Sequence, residues 1–238
     1  MNINYIIIAI ILSVGAVLSV LSQKLTLAAA ITGWIIGLMV FTGSGFGGVV
    51  MLATFFILAT IATSTGKKSK ERLGIAEKRK GRRTAGQVIA NAGVAAISGF
   101  LMWIFPNYSL FFQLALAGSL ASATADTVSS ELGNVFGSNY YNIITFKKDI
   151  KGLDGVISLE GTLAGIAGSG MIAIVYFLFF KSYEQAIFLI IAGTMGNFAD
   201  SVLGATLERK KQIGNNTVNF LNTIAGALIA TLLFSATG

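Results

Sequence analysis

Residues 3–22 read INYIIIAIILSVGAVLSVLS, a stretch without an acidic or basic side chain. A helix needs about 20 mostly apolar residues to cross a bilayer. No basic segment precedes this stretch, so we expect a retained membrane helix and not a cleaved signal peptide. Seven more apolar segments follow, at residues 25–41, 46–63, 86–105, 110–132, 154–180, 185–206 and 216–235. The sequence therefore predicts an all-α, polytopic transmembrane bundle of about eight spans.

The second and third of these segments are short and close together, which leaves seven spans as the alternative. We expect the whole chain, residues 1–238, to form one transmembrane domain. Its composition agrees with this class: 54% of residues are hydrophobic and 11% are charged, whereas soluble domains carry about 25% charged residues.

The basic residues predict which side each loop occupies, because positively charged loops tend to stay in the cytoplasm. With eight spans, sixteen of the 17 Lys and Arg residues fall in loops on one side. Nine of them lie in the long loop at 64–85, and Lys181 alone lies on the other side. We therefore expect an integral membrane protein with basic loops in the cytoplasm and both termini outside. The loop at 64–85 is also suited to bind anionic lipid headgroups.

Acidic residues inside a membrane are costly, and they are functional candidates by default. Asp126 lies at the middle of a helix face of small and polar residues that includes Ser129, and Glu131 follows it. Asp200 lies on a similar face, and Glu160 belongs to a third acidic segment. All of these acids lie near the cytoplasmic ends predicted for their helices, where they would share one surface.

Two of the acidic segments look like an internal repeat. ADTV at 125–128 matches ADSV at 199–202, and each is followed, after a basic loop, by a related helix start, VISLEGT at 156–162 and VNFLNT at 218–223. Asn219 and Asn222 continue a polar stripe in the second of these helices. A repeat of this kind would place two similar helix pairs around one cleft.

The residue types limit the chemistry of such a cleft. The chain has no Cys and no His, so thiolate or imidazole chemistry is excluded. Facing carboxylate and amide oxygens suit a hard cation, and Mg²⁺ is held by one or two carboxylates together with substrate phosphates. Arg82, Arg83, Lys147 and Lys148 would bind those phosphates. Gln87 and Asn91 follow Arg83 at four-residue steps and extend a polar stripe into the membrane.

The other sequence motifs do not indicate a nucleotide site or a nucleic-acid site. The sequence contains no phosphate loop of the form GxxxxGK[ST]. GSGFGG at 43–48 matches GxGxxG, but it lies between predicted membrane helices and not after a strand, so it does not indicate a dinucleotide site. No basic surface is interleaved with aromatic residues, and we expect no nucleic-acid partner. Closely spaced glycines such as Gly161, Gly165 and Gly168 favour tight helix packing.

Taken together, several stretches resemble a family of small integral membrane proteins that includes the plant phytyl-phosphate kinases. They are GRRTAGQV at 81–88, ADTVSSELG at 125–133, ITFKK at 144–148, GLDGVISLEGT at 152–162, GNFADS at 196–201 and NTVNFLNT at 216–223. They occur in order over a family-like core at 81–223, and as a set they are specific to the family.

The resemblance implies a membrane kinase that converts an isoprenoid monophosphate to its diphosphate. The nucleoside triphosphate would be CTP by similarity to polyprenol and phytol kinases, with ATP as the alternative, and Mg²⁺ would be required. Combined with the residue analysis, it makes Asp126, Glu131 and Asp200 the metal ligands, with Glu160 as a further catalytic candidate. The phosphate-binding and wall residues would be Arg82, Arg83, Lys147, Lys148, Ser129, Asn219 and Asn222. A homodimer is compatible with these expectations.

Three alternatives remain at this point. A transporter or lipid flippase also combines repeats with intramembrane acids, although its site would lie near the midplane. A CTP-dependent membrane cytidylyltransferase would use the same residues but release diphosphate. A non-catalytic scaffold would tolerate neutralisation of the acids.

Overall fold

The computed structural model describes residues 3–72, 74 and 81–237. The centre of the predicted basic loop at 64–85, including Lys78, Arg79 and Lys80, lies outside the described residues. The helices and strands are α1 (Ile3–Leu21), α2 (Leu27–Ser64), α3 (Lys67–Arg72), α4 (Ala85–Ile104), α5 (Ser109–Phe136), β1 (Tyr141–Asn142), β2 (Val156–Ile157), α6 (Leu159–Phe180), α7 (Tyr183–Leu203) and α8 (Asn215–Thr237). A 3-10 turn at Pro106–Tyr108 precedes α5, and a π-helical turn at Gly204–Glu208 extends α7.

In the described part of the chain, six helices are long and apolar enough to cross a membrane: α1, α2, α4, α6, α7 with its π-helical turn, and α8. The helical membrane class is therefore confirmed. The number differs from the eight or seven expected for two reasons. The predicted segments 25–41 and 46–63 are joined in α2, and α5 carries polar and acidic side chains that make it less apolar.

The long helix α2 reverses direction at Gly45. This residue has φ 61° and ψ −152°, a conformation that is accessible almost only to glycine. A straight helix of 38 residues would be about 57 Å long. Instead, Lys24 Nζ, just before α2, donates a hydrogen bond to Ser64 Oγ at its end, over 3.0 Å. The two halves of α2 are therefore antiparallel.

Helix α5 forms the centre of the bundle and packs against α2, α4, α6, α7 and α8. Its middle, from Ala115 to Ala125, is buried on every side and consists mainly of small residues, which let the other helices approach closely. Helix α1 makes its main contacts with α2 and keeps large apolar side chains on its outer face. Such a surface suits contact with lipid.

The polar segments of the chain lie together at one end of the bundle, which we call the polar end. The start of α2 pairs with the segment before α4, because Arg83 N donates to Lys24 O and Thr26 N donates to Arg83 O. The loop between α5 and α6 closes over the same end through the short antiparallel β1–β2 pair. At the opposite end, the ring of Tyr5 packs edge-on against Phe41, with centroids 5.3 Å apart.

Candidate functional site

A cavity of about 310 Å³ opens at the polar end, and we call it the polar cavity. It is lined by the start of α4, the second half of α5, the loop at 152–158, the end of α7 and the start of α8. Its polar side chains include Arg83, Gln87, Asn91, Asp126, Ser129, Glu131, Asp154, Asn197, Asp200, Glu208, Asn215 and Asn219. Segments far apart in the sequence therefore form one polar wall inside an apolar bundle.

Two carboxyl groups from the repeated motif meet in this cavity. Asp126 on α5 is 8% exposed, and its carboxyl group is within hydrogen-bonding reach of that of Asp200 on α7. Asn222 Nδ2 on α8 donates to Asp200 Oδ1 over 3.4 Å. Two carboxylates this close repel one another in an apolar setting unless a proton or a cation lies between them.

Close helix packing brings these acids together. Ser122, one turn before Asp126, donates from Oγ to Asn222 O over 3.1 Å and also contacts Asn222 Oδ1. Gly196, one turn before Asp200, lies against Ser122 so closely that a Cβ atom there would overlap Ser122 Oγ. Small residues at these steps therefore set the distance between α5, α7 and α8, and with it the distance between the two acids.

Further acids and amides surround the pair. Glu208 lies two turns after Asp200, and the side chain of Asn215 lies beside it. Asp154 and Asn197 also line the cavity. None of these four was among the site residues predicted from the sequence. Glu208 shares a helix face with Asp200. Asn215 begins the polar stripe of α8 and Asp154 begins the third acidic segment, so only Asn197 had no signal.

Glu131 lies in the cavity wall but has its own partner. Lys70 Nζ on α3 contacts Glu131 Oε2 at 2.5 Å and also donates to the carbonyl oxygens of Ala62 and Thr63 over 3.2 and 3.1 Å. Lys70 is only 2% exposed. Glu131 therefore forms a buried ion pair, and it does not join Asp126 and Asp200 in a three-carboxylate cluster. Among the residues the structure describes, no group of three or more acidic side chains could hold a metal ion.

The basic residues selected from the sequence occupy different positions. Arg83 lines the polar cavity, with its guanidinium 5.7 Å from the ring centroid of Phe55. Arg82 instead donates from Nε to Leu25 O over 2.9 Å and fixes the start of α2. Lys147 and Lys148 are exposed on the loop before β2 and are not among the residues that line the cavity.

Of the other predicted site residues, some line the polar cavity and some do not. Ser129 and Asn219 line the cavity, and Asn222 lies buried beneath Asp200. Glu160, in the first turn of α6, accepts hydrogen bonds from Ser138 N and Oγ over 3.2 and 2.6 Å and is outside the set that lines the cavity. Its contacts connect α6 to the end of α5.

Arg209, a basic residue of the loop after α7, fixes the loop at the mouth of the cavity. Arg209, after α7, donates from Nη1 to Asp149 Oδ2 over 2.8 Å and from Nε to Asp154 O over 3.0 Å. The hydrogen bond from Arg209 holds the pKa of Asp149 below its usual value of 3.8. This contact fixes the loop at 149–154 at the mouth of the cavity.

Fold and site together define an integral membrane protein with an acid-lined cavity at one end of a helical bundle. The chain belongs to the integral membrane protein family DUF92, whose model matches residues 9–227. The family expected from the motifs is thereby confirmed.

Relatives occur in plants, cyanobacteria and archaea. The chain is 33% identical over 207 residues to Protein VTE6, chloroplastic, of Arabidopsis thaliana, and the match covers 84% of this chain and 62% of the plant protein. It is 34% identical over 200 residues to the uncharacterized membrane protein sll0875 of Synechocystis, covering 83% and 78% of the two chains. It is 33% identical over 200 residues to the uncharacterized membrane protein MJ0933 of Methanocaldococcus jannaschii, covering 84% and 82%. No solved structure matches the chain significantly.

Proposed function

We propose that this protein is a membrane kinase that transfers the terminal phosphate of a nucleoside triphosphate, CTP or ATP, to an isoprenoid monophosphate. The observation that carries the proposal is the contact of Asp126 with Asp200 in a polar cavity that also contains Arg83. The family resemblance supports the substrate class, and the acid pair and arginine supply groups that phosphoryl transfer requires.

The residues present fit Mg²⁺ with phosphate ligands. Asp126 and Asp200 are the two carboxylates that would hold the ion, and one or two carboxylates together with phosphates are typical of Mg²⁺ sites. Asn222 positions Asp200 by its hydrogen bond, while Glu131 is engaged by Lys70. Bound Mg²⁺ would neutralise charge on the transferred phosphoryl group.

The acceptor itself removes the need for a general base. In the proposed step an oxygen of the lipid monophosphate attacks the terminal phosphorus of the nucleotide, and the P–O bond to the leaving nucleoside diphosphate breaks. The acceptor oxygen is already anionic near neutral pH. The task of Arg83 would be to bind phosphate, and the enclosing helices would keep water from competing as acceptor.

We also propose that the chain passes through the membrane eight times, with the polar end in the cytoplasm. The reversal of α2 at Gly45 and the central, buried course of α5 each support one pass beyond the six apolar helices. The positive-inside rule supports the orientation. Cytoplasmic nucleotide would then reach the polar cavity directly.

Purified protein with Mg²⁺, γ-labelled CTP or ATP and a panel of prenyl phosphates tests the proposal. We expect label in a lipid diphosphate and release of nucleoside diphosphate. Release of inorganic diphosphate would instead identify a cytidylyltransferase. A transporter is not favoured, because the described helix residues that line the polar cavity come from the halves of the helices nearer the polar end, and none of them lines the same cavity from the opposite end. Absence of transfer to every acceptor would refute the kinase.

A further inference from the structure

A second cavity lies beside the polar one. An apolar groove of about 280 Å³ runs between α1, the two halves of α2 and α4. Arg83, Gln87 and Asn91 line both this groove and the polar cavity. Because these residues follow one another at four-residue steps, the two spaces meet along one face of α4.

The groove has a polar mouth and an apolar body. Beyond the three shared residues, its walls are formed mostly by side chains such as Leu12, Trp34, Val49, Leu52 and Phe56. Helix α1, which forms one wall, has α2 as its main partner. An amphiphile could therefore enter sideways from the lipid, with its charged group at the mouth and its hydrocarbon chain inside.

Asn91 points to a ligand at the junction. Its side chain is 6% exposed, and its Nδ2 donates to Gln87 O over 2.9 Å. Its Oδ1 is buried and has no hydrogen-bond partner among the described residues. A buried acceptor without a donor is unfavourable, so the site suits a ligand that brings an O–H group. A lipid monophosphate supplies one in its monoanionic form, in which its other oxygens stay anionic.

We propose that this groove holds the hydrocarbon tail of the lipid phosphate acceptor, with its phosphate at the mouth beside Arg83. The inference rests on the proposed function and adds the route by which the acceptor reaches the acid pair. From Ile57 to Val49 the apolar wall of the groove follows the second half of α2 for about 12 Å. A short chain fits within that length, and a longer chain continues past α1 into the lipid.

Two glycines make the groove testable without disturbing the fold. Gly15 on α1 and Gly33 on α2 both line it, and a Cβ atom added at either position would meet no other atom within 4 Å. Leucine at position 33 would therefore occupy the groove. Gly170 on α6 offers a matched control, because a Cβ atom there also meets nothing within 4 Å and the residue does not line the groove.

The first experiment compares kcat/KM for geranyl and geranylgeranyl phosphate. We expect Gly33→Leu to lower kcat/KM for the longer acceptor at least about tenfold relative to the shorter one, since each excluded methylene costs about fourfold in binding. Gly170→Leu should leave the ratio unchanged. If the ratio of kcat/KM for the two acceptors is unchanged in Gly33→Leu, or changes equally in both variants, the proposal that the groove binds the tail is refuted.

The second experiment does not depend on turnover. Geranylgeranyl phosphate with a diazirine in its tail is photo-crosslinked to the protein in lipid nanodiscs, and the labelled peptides are mapped. We expect label in α1, α2 and α4, lowered by unlabelled geranylgeranyl phosphate and by Gly33→Leu. Label elsewhere, or equal competition by phosphatidylglycerol, would overturn the proposal. If the groove is labelled but the protein transfers no phosphate, the tail-binding groove is supported and only the proposed kinase activity is refuted.

Discussion

The buried contact between Lys70 and Glu131 separates a structural role of Glu131 from a catalytic one. Lys70→Met removes the cation from Glu131 and from the two carbonyl oxygens of Ala62 and Thr63. Removing one partner of a buried ion pair destabilises a protein by about 3–5 kcal/mol. Glu131 is 14% exposed, which favours the lower value, about 3 kcal/mol. For a chain of this size, that corresponds to a decrease of about 6–12 °C in Tm.

The second substitution makes the test decisive. Adding Glu131→Leu removes the stranded carboxylate, so the double variant should recover to within about 1 kcal/mol of the wild type. Thermal unfolding in detergent, followed by intrinsic fluorescence, measures both effects. Lys24→Met is the control, because its hydrogen bond to Ser64 is exposed, and it should change stability by less than about 0.5 kcal/mol. The double variant should also keep its phosphotransfer activity. Additive destabilisation, or loss of activity in a stable double variant, would refute this assignment.

Further predictions concern packing, pH and topology. Gly196→Val should lower stability by about 1–3 kcal/mol in a thermal-shift assay, because its side chain would overlap α5; an unchanged Tm would contradict the close helix contact. Arg209 holds the pKa of Asp149 below 3.8, so the stabilisation of the loop by this ion pair should be complete above that pH and lost as the pH falls through the lowered pKa. Hydrogen exchange of the loop at 149–154, corrected for intrinsic rates, should therefore become faster at low pH. Arg209→Gln should abolish this pH dependence. Single cysteines in a chain that has none report sidedness: Asn139→Cys should react with an impermeant reagent from the cytoplasm and Glu184→Cys from outside, and reaction from the same side would refute the proposed topology.

The convergence of the acid pair could be predicted because it has local signals. The ADTV and ADSV motifs place Asp126 and Asp200 on similar faces of small residues, and the structure brings the two side chains together. The polar stripe from Arg83 to Asn91 also follows from four-residue spacing alone, and it lines the cavity. Periodicity identifies faces that pack together, since one helix turn fixes which residues are neighbours.

Contacts between segments far apart in the sequence could not be predicted, because no spacing pattern along the chain indicates them. Lys70 and Glu131 are 61 positions apart, and the partner lies on α3, a short helix outside the apolar segments. Lys147 and Lys148 share the surface expected from the sequence, but the turn before β2 leaves both exposed. Hydropathy separated the two halves of α2, whereas their antiparallel arrangement depends on the backbone of Gly45.

The most direct test of the account is transfer of the γ-phosphate from labelled CTP or ATP to geranylgeranyl or farnesyl phosphate in lipid nanodiscs with Mg²⁺. Wild type is compared with Asp126→Asn, Asp200→Asn and the exposed control Glu184→Gln. We expect label in the lipid diphosphate, a decrease on the order of hundredfold in either aspartate variant, and full activity in the control. Undiminished activity of both aspartate variants, or no transfer by the wild type, would contradict it.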